Sequence, residues 1–182
     1  FLSDRPDEFI QVPFGDVDAM DQALSGGDVA AVIMETIPAT YGFPLPPTGY
    51  LEAVKELTER HDTLYIADEV QTGLMRTGEM WGITKHGIEP DIMVSGKGLS
   101  GGMYPIAAAM LGERAAQWLD EDGFAHISTF GGAELGCVAA IKTLEITSRP
   151  EVRENVHAIT DVFAAGLARI QADHADWFIG IR

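Results

Sequence analysis

The stretch DIMVSGKGLSGG, residues 91–102, decides the fold of this chain. A short apolar segment leads into a single lysine, Lys97, that is surrounded by glycines. A similar segment, residues 64–68, ends in Asp68 and is followed by a second acid, Glu69. In a doubly wound α/β sheet the side chains that follow parallel strands emerge at the carboxyl edge, where such folds bind their ligands. The sequence therefore predicts that Lys97 and Asp68 lie at one edge of a sheet.

A lysine and a carboxylate at one sheet edge suit pyridoxal phosphate. This cofactor needs an amine to form a Schiff base and an acidic partner for its ring nitrogen. The glycines around Lys97 let backbone approach a ligand closely, and the apolar strand before it favours the neutral amine that attacks a carbonyl. Asp68 and Glu69 are adjacent on a strand and point to opposite faces, so we expect only one of them to act in the site.

Two nucleotide-binding interpretations compete with this one. Gly96, Gly98 and Gly101 satisfy the dinucleotide fingerprint G-x-G-x-x-G, which should open a helix. The sequence instead places Pro105 shortly after the glycines and continues as a strand-like run. A Walker phosphate loop fails because Gly98 follows Lys97 where Ser or Thr is required. A non-catalytic nucleotide-binding α/β module stays open as the alternative.

Composition excludes several classes of function. The 182 residues are 46% hydrophobic, which is ordinary for a globular protein, and carry a formal charge of −16. Such a charge repels nucleic acid and anionic membranes. One cysteine, Cys137, in an apolar run predicts a buried thiol and a reducing, cytoplasmic compartment. The chain starts with Phe1 rather than Met, and Arg182 follows no turn signal, so we expect a fragment of a longer protein.

Strand-like and helix-like segments alternate along the chain. We predict strands at residues 29–35, 64–68, 91–95 and 106–111, the first of them buried on both faces. We predict a helix after a Thr48 cap, in which apolar residues recur at helical spacing, and another from 151 to about 172. From residue 133 to about 147, apolar residues such as Leu135, Val138 and Ile141 predict a helix that packs on the sheet. This alternation predicts an α/β fold with a mainly parallel sheet flanked by helices.

Other side chains are less decisive. The five histidines show no metal-binding spacing on a common helical face, so no metal site is predicted. Ser128, Thr129 and two glycines form a donor-rich turn before a helix, which is how an anion such as phosphate is held. A plain capped turn explains the same residues equally well.

Three segments together resemble the class III aminotransferases, which are fold-type I pyridoxal phosphate enzymes that include ornithine, acetylornithine and 4-aminobutyrate aminotransferases. IADEVQTGLMRTGEMWG (66–82) is similar to the family's acid-bearing segment, DIMVSGKGLSGGMYPIAA (91–108) to its lysine segment, and HISTFGGAELGCVAA (126–140) to its phosphate segment. They occur in the family's order and spacing. The resemblance covers nearly the whole chain and implies part of the large domain of that fold.

The resemblance implies roles for individual residues. Lys97 is expected to hold the cofactor as a Schiff base and to move the proton of the reaction. Asp68 is expected to pair with the protonated ring nitrogen. Val70 is expected to press on a ring face, and Gln71 to hydrogen-bond near the ring oxygen. Glu35 matches an acid near the substrate.

Ser128 and Thr129 are expected to reach the cofactor phosphate of a neighbouring subunit, which implies a homodimer. The sequence departs from the family pattern at three positions. Thr40 stands where a gating glutamate falls in the ornithine and 4-aminobutyrate enzymes, and Ala133 and Glu134 replace the usual Asn and Pro. The first departure places those two substrates in doubt.

The activity implied is transamination between an amine or amino acid and an oxo acid. An aminomutase of the same family and a cofactor-binding relative without activity are the alternatives, although aminomutases usually lack the glutamine found at Gln71. We expect residues 1–150 to be a partial cofactor-binding large domain. Residues 151–182 are expected to lead toward a small C-terminal domain.

Overall fold

Strands and helices alternate along the first half of the chain. The structure, a computed structural model, describes residues 5, 8–178 and 180–181. Its helices are α1 (Val17–Leu24), α2 (Tyr50–Arg60), α3 (Glu113–Ala116), α4 (Trp118–Glu121), α5 (Glu134–Thr147) and α6 (Pro150–Asp173), and its strands are β1 (Ala31–Glu35), β2 (Leu64–Asp68), β3 (Ile92–Ser95) and β4 (Ala108–Leu111). Three short 3₁₀ helices cover Gly82–His86, Lys97–Ser100 and Ala175–Trp177.

The four strands form one sheet in the order β1-β2-β3-β4. Strands β1, β2 and β3 run parallel, and β4 returns antiparallel to β3. The predicted α/β fold with a mainly parallel sheet is therefore confirmed. In the register Glu35 is opposite Asp68, and Asp68 is opposite Val94. The carboxyl ends of β1, β2 and β3 consequently meet at one edge.

Helices α1 and α2 cover one face of the sheet and form its core. Leu51, Val54, Tyr65 and Ala67 are completely buried there. The predicted spacing of apolar residues in α2 is confirmed, but the predicted Thr48 cap is wrong. Gly49 occupies the N-cap with φ +78°, and no side chain caps the helix. A left-handed backbone favours glycine, which explains its place there.

The opposite face of the sheet is open in the described part of the chain. Ile33 points to this face and is 66% exposed, so the prediction that the first strand is buried on both faces is wrong. Val32, on the other side of the same strand, is buried against the core. Ile33 and Glu35 share the open face with Asp68, because alternate residues point the same way and Glu35 is paired with Asp68.

Helix α5 packs against the 3₁₀ helix Lys97–Ser100 rather than against the sheet. Its buried positions are Gly136 and Ala140. Three apolar residues expected to face the sheet are more than half exposed: Leu135, Val138 and Ile141. Cys137 is only half-buried, so the buried thiol expected from the sequence is wrong. The small residues face inward because α5 lies close to the backbone after Lys97.

Candidate functional site

The ends of three neighbouring strands bring acidic and basic side chains to one edge of the sheet. Glu35 ends β1, Asp68 ends β2, and Lys97 follows β3 by two residues. Glu35 and Asp68 are directly paired in the register. The predicted placement of Asp68 and Lys97 at one sheet edge therefore agrees with the structure.

Asp68 presents a carboxylate with spare acceptor capacity. Its side chain is half-buried, and Oδ1 accepts a hydrogen bond from the backbone N–H of Val70 at 3.0 Å. Among the described residues, no donor reaches Oδ2. The hydrogen bond to Val70 fixes the orientation of the carboxylate and leaves one oxygen able to accept a proton donor from a ligand.

Lys97 sits in a strained backbone conformation. Its φ is +35°, a region that residues other than glycine rarely adopt, at a cost of about 1–3 kcal/mol. The side chain is exposed, and Nζ donates a hydrogen bond to Oε1 of Gln71. Such strain persists only where the surrounding structure imposes it, and it concentrates at functional sites. The structure thus brings together Lys97 and Gln71, two of the predicted site residues.

The connection after Asp68 forms the wall beside Lys97. A Cβ added to Gly96 would lie 3.5 Å from Cγ1 of Val70, and one added to Gly98 would lie 3.3 Å from Cδ1 of Leu74. Val70 and Leu74 therefore lie close to the two glycines that precede and follow Lys97 in the chain. Val70 was predicted from the sequence, but Leu74 was missed because nothing in its residue type distinguishes it from other loop leucines.

Glu69 takes the opposite direction from Asp68, as expected of adjacent residues. It is 1% exposed and accepts hydrogen bonds from the hydroxyl of Thr36 and from the backbone N–H groups of Gly82 and Ile83. Thr36 is also buried. Both residues were missed as contributors to the edge. The sequence signal that could have found them is their position, because Thr36 and Glu69 each directly follow the acid that ends a strand.

A cavity of about 680 Å³ opens next to Lys97. Its other lining residues belong to the turn that joins the lysine segment to β4: Ser100, Gly102, Met103, Tyr104, Pro105, Ile106 and Ala107. Ser100 Oγ accepts from the backbone N–H of Tyr104 at 3.1 Å and donates to the Tyr104 carbonyl, which closes this turn. Asp68 does not line the cavity, so the cavity adjoins Lys97 and the turn that follows it rather than the end of β2.

Ser128 and Thr129 belong to an exposed turn. All residues from 121 to 132 are exposed, and Ser128 Oγ accepts a hydrogen bond from the backbone N–H of Gly131 at 3.0 Å. No hydrogen bond within the described chain joins this turn to Lys97 or Asp68. The structure therefore shows the predicted turn, without a hydrogen bond between it and these two residues in the described part of the chain.

A second cavity, of about 530 Å³, lies at the opposite edge of the sheet. Asp91 there accepts from the backbone N–H of Tyr65 at 2.7 Å and pairs with Arg114 at 3.3 Å. A hydrogen bond from its own backbone N–H lowers the pKa of Glu52 below its usual value, and His86 Nδ1, 3.1 Å away, adds to the effect. These charges pair with one another at the amino ends of the strands, so they are structural.

The glycine fingerprint does not form a dinucleotide site. Gly96 and Gly101 enclose only the 3₁₀ helix Lys97–Ser100, after which the chain enters the antiparallel strand β4. A Rossmann phosphate loop requires a full helix at this point. In the described ranges, no group of three or more potential metal ligands converges. None of the described helices has the length and apolar character needed to cross a bilayer.

Similarity to known proteins places the chain in the fold-type I class of pyridoxal phosphate enzymes. A family model, aminotransferase class-III, matches residues 6–182. The chain therefore belongs to the class-III aminotransferases, which depend on pyridoxal phosphate.

Individual relatives agree with this membership. An uncharacterized aminotransferase from Archaeoglobus fulgidus is 49% identical over 166 residues, covering 91% of this chain and 39% of the relative. The structure of ornithine aminotransferase from Toxoplasma gondii, crystallized with oxidized glutathione and with pyridoxal phosphate partially occupying its active site, superposes with a TM-score of 0.88 at 33% identity, covering 96% of this chain and 40% of that one.

Acetylornithine aminotransferase from Elizabethkingia anophelis gives a TM-score of 0.83 at 34% identity, covering 91% of this chain and 41% of that one. The chain thus spans about two fifths of the length of these relatives.

Proposed function

We propose that this chain carries the pyridoxal phosphate site of an enzyme that transfers an amino group between an amine or amino acid and an oxo acid. The observation that carries the proposal is Lys97. Its amine projects from a strained backbone at the carboxyl edge of the sheet, next to the strand that ends in Asp68. Membership in the class-III aminotransferases supports the same reaction.

The residues at this edge fit the cofactor. Asp68 Oδ2 has no donor within the described chain and would accept the ring N–H, while Oδ1 stays fixed by Val70. Lys97 would supply the amine that bonds to the aldehyde, and Gln71, its present partner, would turn to the ring oxygen. When bound, the cofactor supplies an electron-withdrawing ring that stabilises negative charge on the substrate carbon. Lys97 would hold and return the proton at that carbon.

Val70 is proposed to contact one face of the ring. Its side chain lies against Gly96, on the wall beside Lys97, which supports that position. Glu35 is proposed to lie on the substrate side of the edge. Its carboxylate is half-buried and accepts from the backbone N–H of Ala39 at 3.1 Å, so it is held next to the strand that ends in Asp68.

A homodimer is part of the proposal. Ser128 and Thr129 would contact the cofactor phosphate bound to the other subunit, since they are exposed and no hydrogen bond within the described chain joins them to Lys97 or Asp68. Phe124 and Phe130, on the same segment, are 79% and 85% exposed. Burial of two such aromatic side chains in a subunit interface is favourable, which supports association through this segment.

Domain organisation and location belong to the same proposal. Residues 1–150 would form the cofactor-binding part, and residues 151–182 would lead toward a small domain. The single Cys137, which cannot form a disulfide within the chain, supports a cytoplasmic location. The amino donor is proposed only as a class, an amine or amino acid.

Transfer of nitrogen tests the proposed reaction. The intact protein, supplied with pyridoxal phosphate, a panel of ¹⁵N-labelled amino donors and an oxo acid, should place ¹⁵N in the amino acid formed from the oxo acid. Lys97→Ala should lower the rate by about 10³-fold or more, because the proton carrier and cofactor anchor are both lost. Lys85→Ala, a change at an exposed lysine outside the site, should transfer at the normal rate.

Two results would contradict the proposal. Transfer at an unchanged rate in Lys97→Ala would remove the lysine from its role. Movement of ¹⁵N to another carbon of the donor itself, with none in the oxo acid product, would indicate an aminomutase.

A further inference from the structure

We propose that Glu69 is a positioning residue that fastens both ends of the loop 70–81, the start through its backbone and the end through its buried carboxylate, and thereby holds that loop against Lys97. The inference rests on the proposed function only in that Lys97 is the reactive lysine. Its structural part concerns this chain alone. Glu69 does not line the cavity beside Lys97, and within the described chain no hydrogen bond or ion pair joins it to the lysine.

The carboxylate of Glu69 is fully enclosed by donors. Oε1 accepts from Thr36 Oγ1 at 2.5 Å and from the backbone N–H of Ile83 at 2.8 Å. Oε2 accepts from the backbone N–H of Gly82 at 2.6 Å. A buried carboxylate requires compensation of this kind, because an unpaired charge away from water is strongly unfavourable. Within the described chain no cation pairs with Glu69, so these three donors provide that compensation.

The backbone of Glu69 fixes the start of the loop to the strand that leads to Lys97. Its N–H donates to the carbonyl of Val94 in β3 at 2.9 Å. Its carbonyl accepts from the N–H of Gly73 at 3.0 Å. One residue thus joins β3, the first turn of the loop and, through its side chain, the residues at which the loop ends.

The loop held in this way supplies the surroundings of Lys97. Gln71 accepts the hydrogen bond from Lys97 Nζ. Val70 and Leu74 pack beside Gly96 and Gly98, the neighbours of the lysine in the chain. Because φ of Lys97 lies at +35°, the backbone there stays in place only while its neighbours confine it. Release of the loop end should therefore free the lysine backbone and its amine.

Thr36 extends the same connection to β1. It directly follows Glu35, is 2% exposed, and donates its hydroxyl to Glu69. Valine at this position removes the donor and keeps the shape, whereas serine keeps the donor. Thr36→Val and Thr36→Ser therefore form a matched pair that separates the hydrogen bond from packing.

Glutamine at position 69 tests the requirement for a carboxylate. Three donors converge on the two carboxylate oxygens of Glu69. A glutamine amide has only one oxygen, and its other group is itself a donor, so Glu69→Gln would direct an N–H₂ group at one or more of these three donors. The side chain keeps its size. We therefore expect Glu69→Gln to weaken the hydrogen bonds at the end of the loop without changing the packing.

Hydrogen–deuterium exchange on the intact, cofactor-free protein measures the fastening directly. In Glu69→Gln the amides of Gly82 and Ile83 should exchange about tenfold faster or more, since a lost partner to a buried charged acceptor has about that effect. The amides of Ile66 and Ala67 in β2 should stay within about twofold of the unchanged protein. Thr36→Val should shift the same loop amides in the same direction, and Thr36→Ser should restore protection.

The consequence for the lysine is measured as the rate at which pyridoxal phosphate followed by borohydride labels Lys97. This rate should fall about fivefold or more in Glu69→Gln and in Thr36→Val, and return toward normal in Thr36→Ser. Thr160→Val, on an exposed part of α6, should leave both readouts unchanged.

Unchanged exchange at Gly82 and Ile83, unchanged labelling, or exchange raised equally in β2 would overturn the inference. The proposed function fails separately, if Lys97 of the unaltered protein takes no label. If Lys97 takes no label but Gly82 and Ile83 still exchange faster in Glu69→Gln, the proposed fastening of the loop by Glu69 would still hold.

Discussion

Gly73 occupies a place where the structure leaves no room for a side chain. A Cβ at this position would lie 2.8 Å from the carbonyl oxygen of Glu69 and 2.8 Å from each of Cε3 and Cζ3 of Trp81. Real Cβ atoms essentially never approach other heavy atoms below 3.0 Å. Gly73→Ala must therefore displace the Trp81 ring, the Glu69 carbonyl, or both.

The cost follows from what has to move. The ring can shift, but the Glu69 carbonyl accepts the hydrogen bond from the N–H of Gly73 itself, at 3.0 Å. Displacing that oxygen weakens a hydrogen bond worth about 1 kcal/mol. Inserting one methyl into a closely packed site typically costs about 1–3 kcal/mol. We expect Gly73→Ala to lower the free energy of unfolding by about 1–3 kcal/mol, and to slow labelling of Lys97 through displacement of the loop 70–81.

Urea denaturation of the intact protein, followed by circular dichroism, measures this change as a midpoint about 1 M lower, given the usual dependence of stability on urea. Gly123→Ala is the matched control. No heavy atom lies within 4 Å of the Cβ it would add, so its stability should stay equal or rise by up to about 1 kcal/mol. Equal stability of Gly73→Ala and the unaltered protein would refute the close packing at this point.

Three further changes have defined outcomes. Burial, and to a smaller extent the nearby Tyr50, raises the pKa of Tyr65. The contribution of Tyr65 to stability is therefore present below pH about 10 and is lost as the pH rises further. Tyr65→Phe should reduce the loss of stability at alkaline pH in denaturation curves, and an unchanged pH profile would contradict this expectation. Gly166→Ala, within α6 and with open space around its Cβ, should raise stability by about 0.5–1 kcal/mol in the same denaturation assay. Asp68→Ala should release pyridoxal phosphate faster on dialysis, and turnover should fall by about 10²-fold or more; normal retention would remove Asp68 from its role.

The positions of the strands along the chain could be predicted because short apolar runs that end in polar residues are distinctive. The sheet edge followed from the same pattern, since parallel strands end at the same edge of a sheet and therefore carry Asp68 and Lys97 to it. Helix α6 was predicted within a residue of its observed ends, because Pro150 marks its start.

The errors have physical causes as well. Ile33 and the apolar side chains of α5 were expected to be buried because apolar residues usually are, yet burial depends on which element lies opposite. The Thr48 cap failed because glycine at position 49 adopts the left-handed conformation that places it at the N-cap. The hydrogen bonds of Glu69 join residues 33 and 13 or 14 positions apart, and no local pattern specifies such contacts.

Covalent labelling gives the most direct test that Lys97 is the lysine that bonds to pyridoxal phosphate. The intact protein is mixed with pyridoxal phosphate, reduced with borohydride, digested, and mapped by mass spectrometry. The account predicts a pyridoxyl group on the peptide that contains Lys97. A label confined to other lysines, or no label at all, would contradict it.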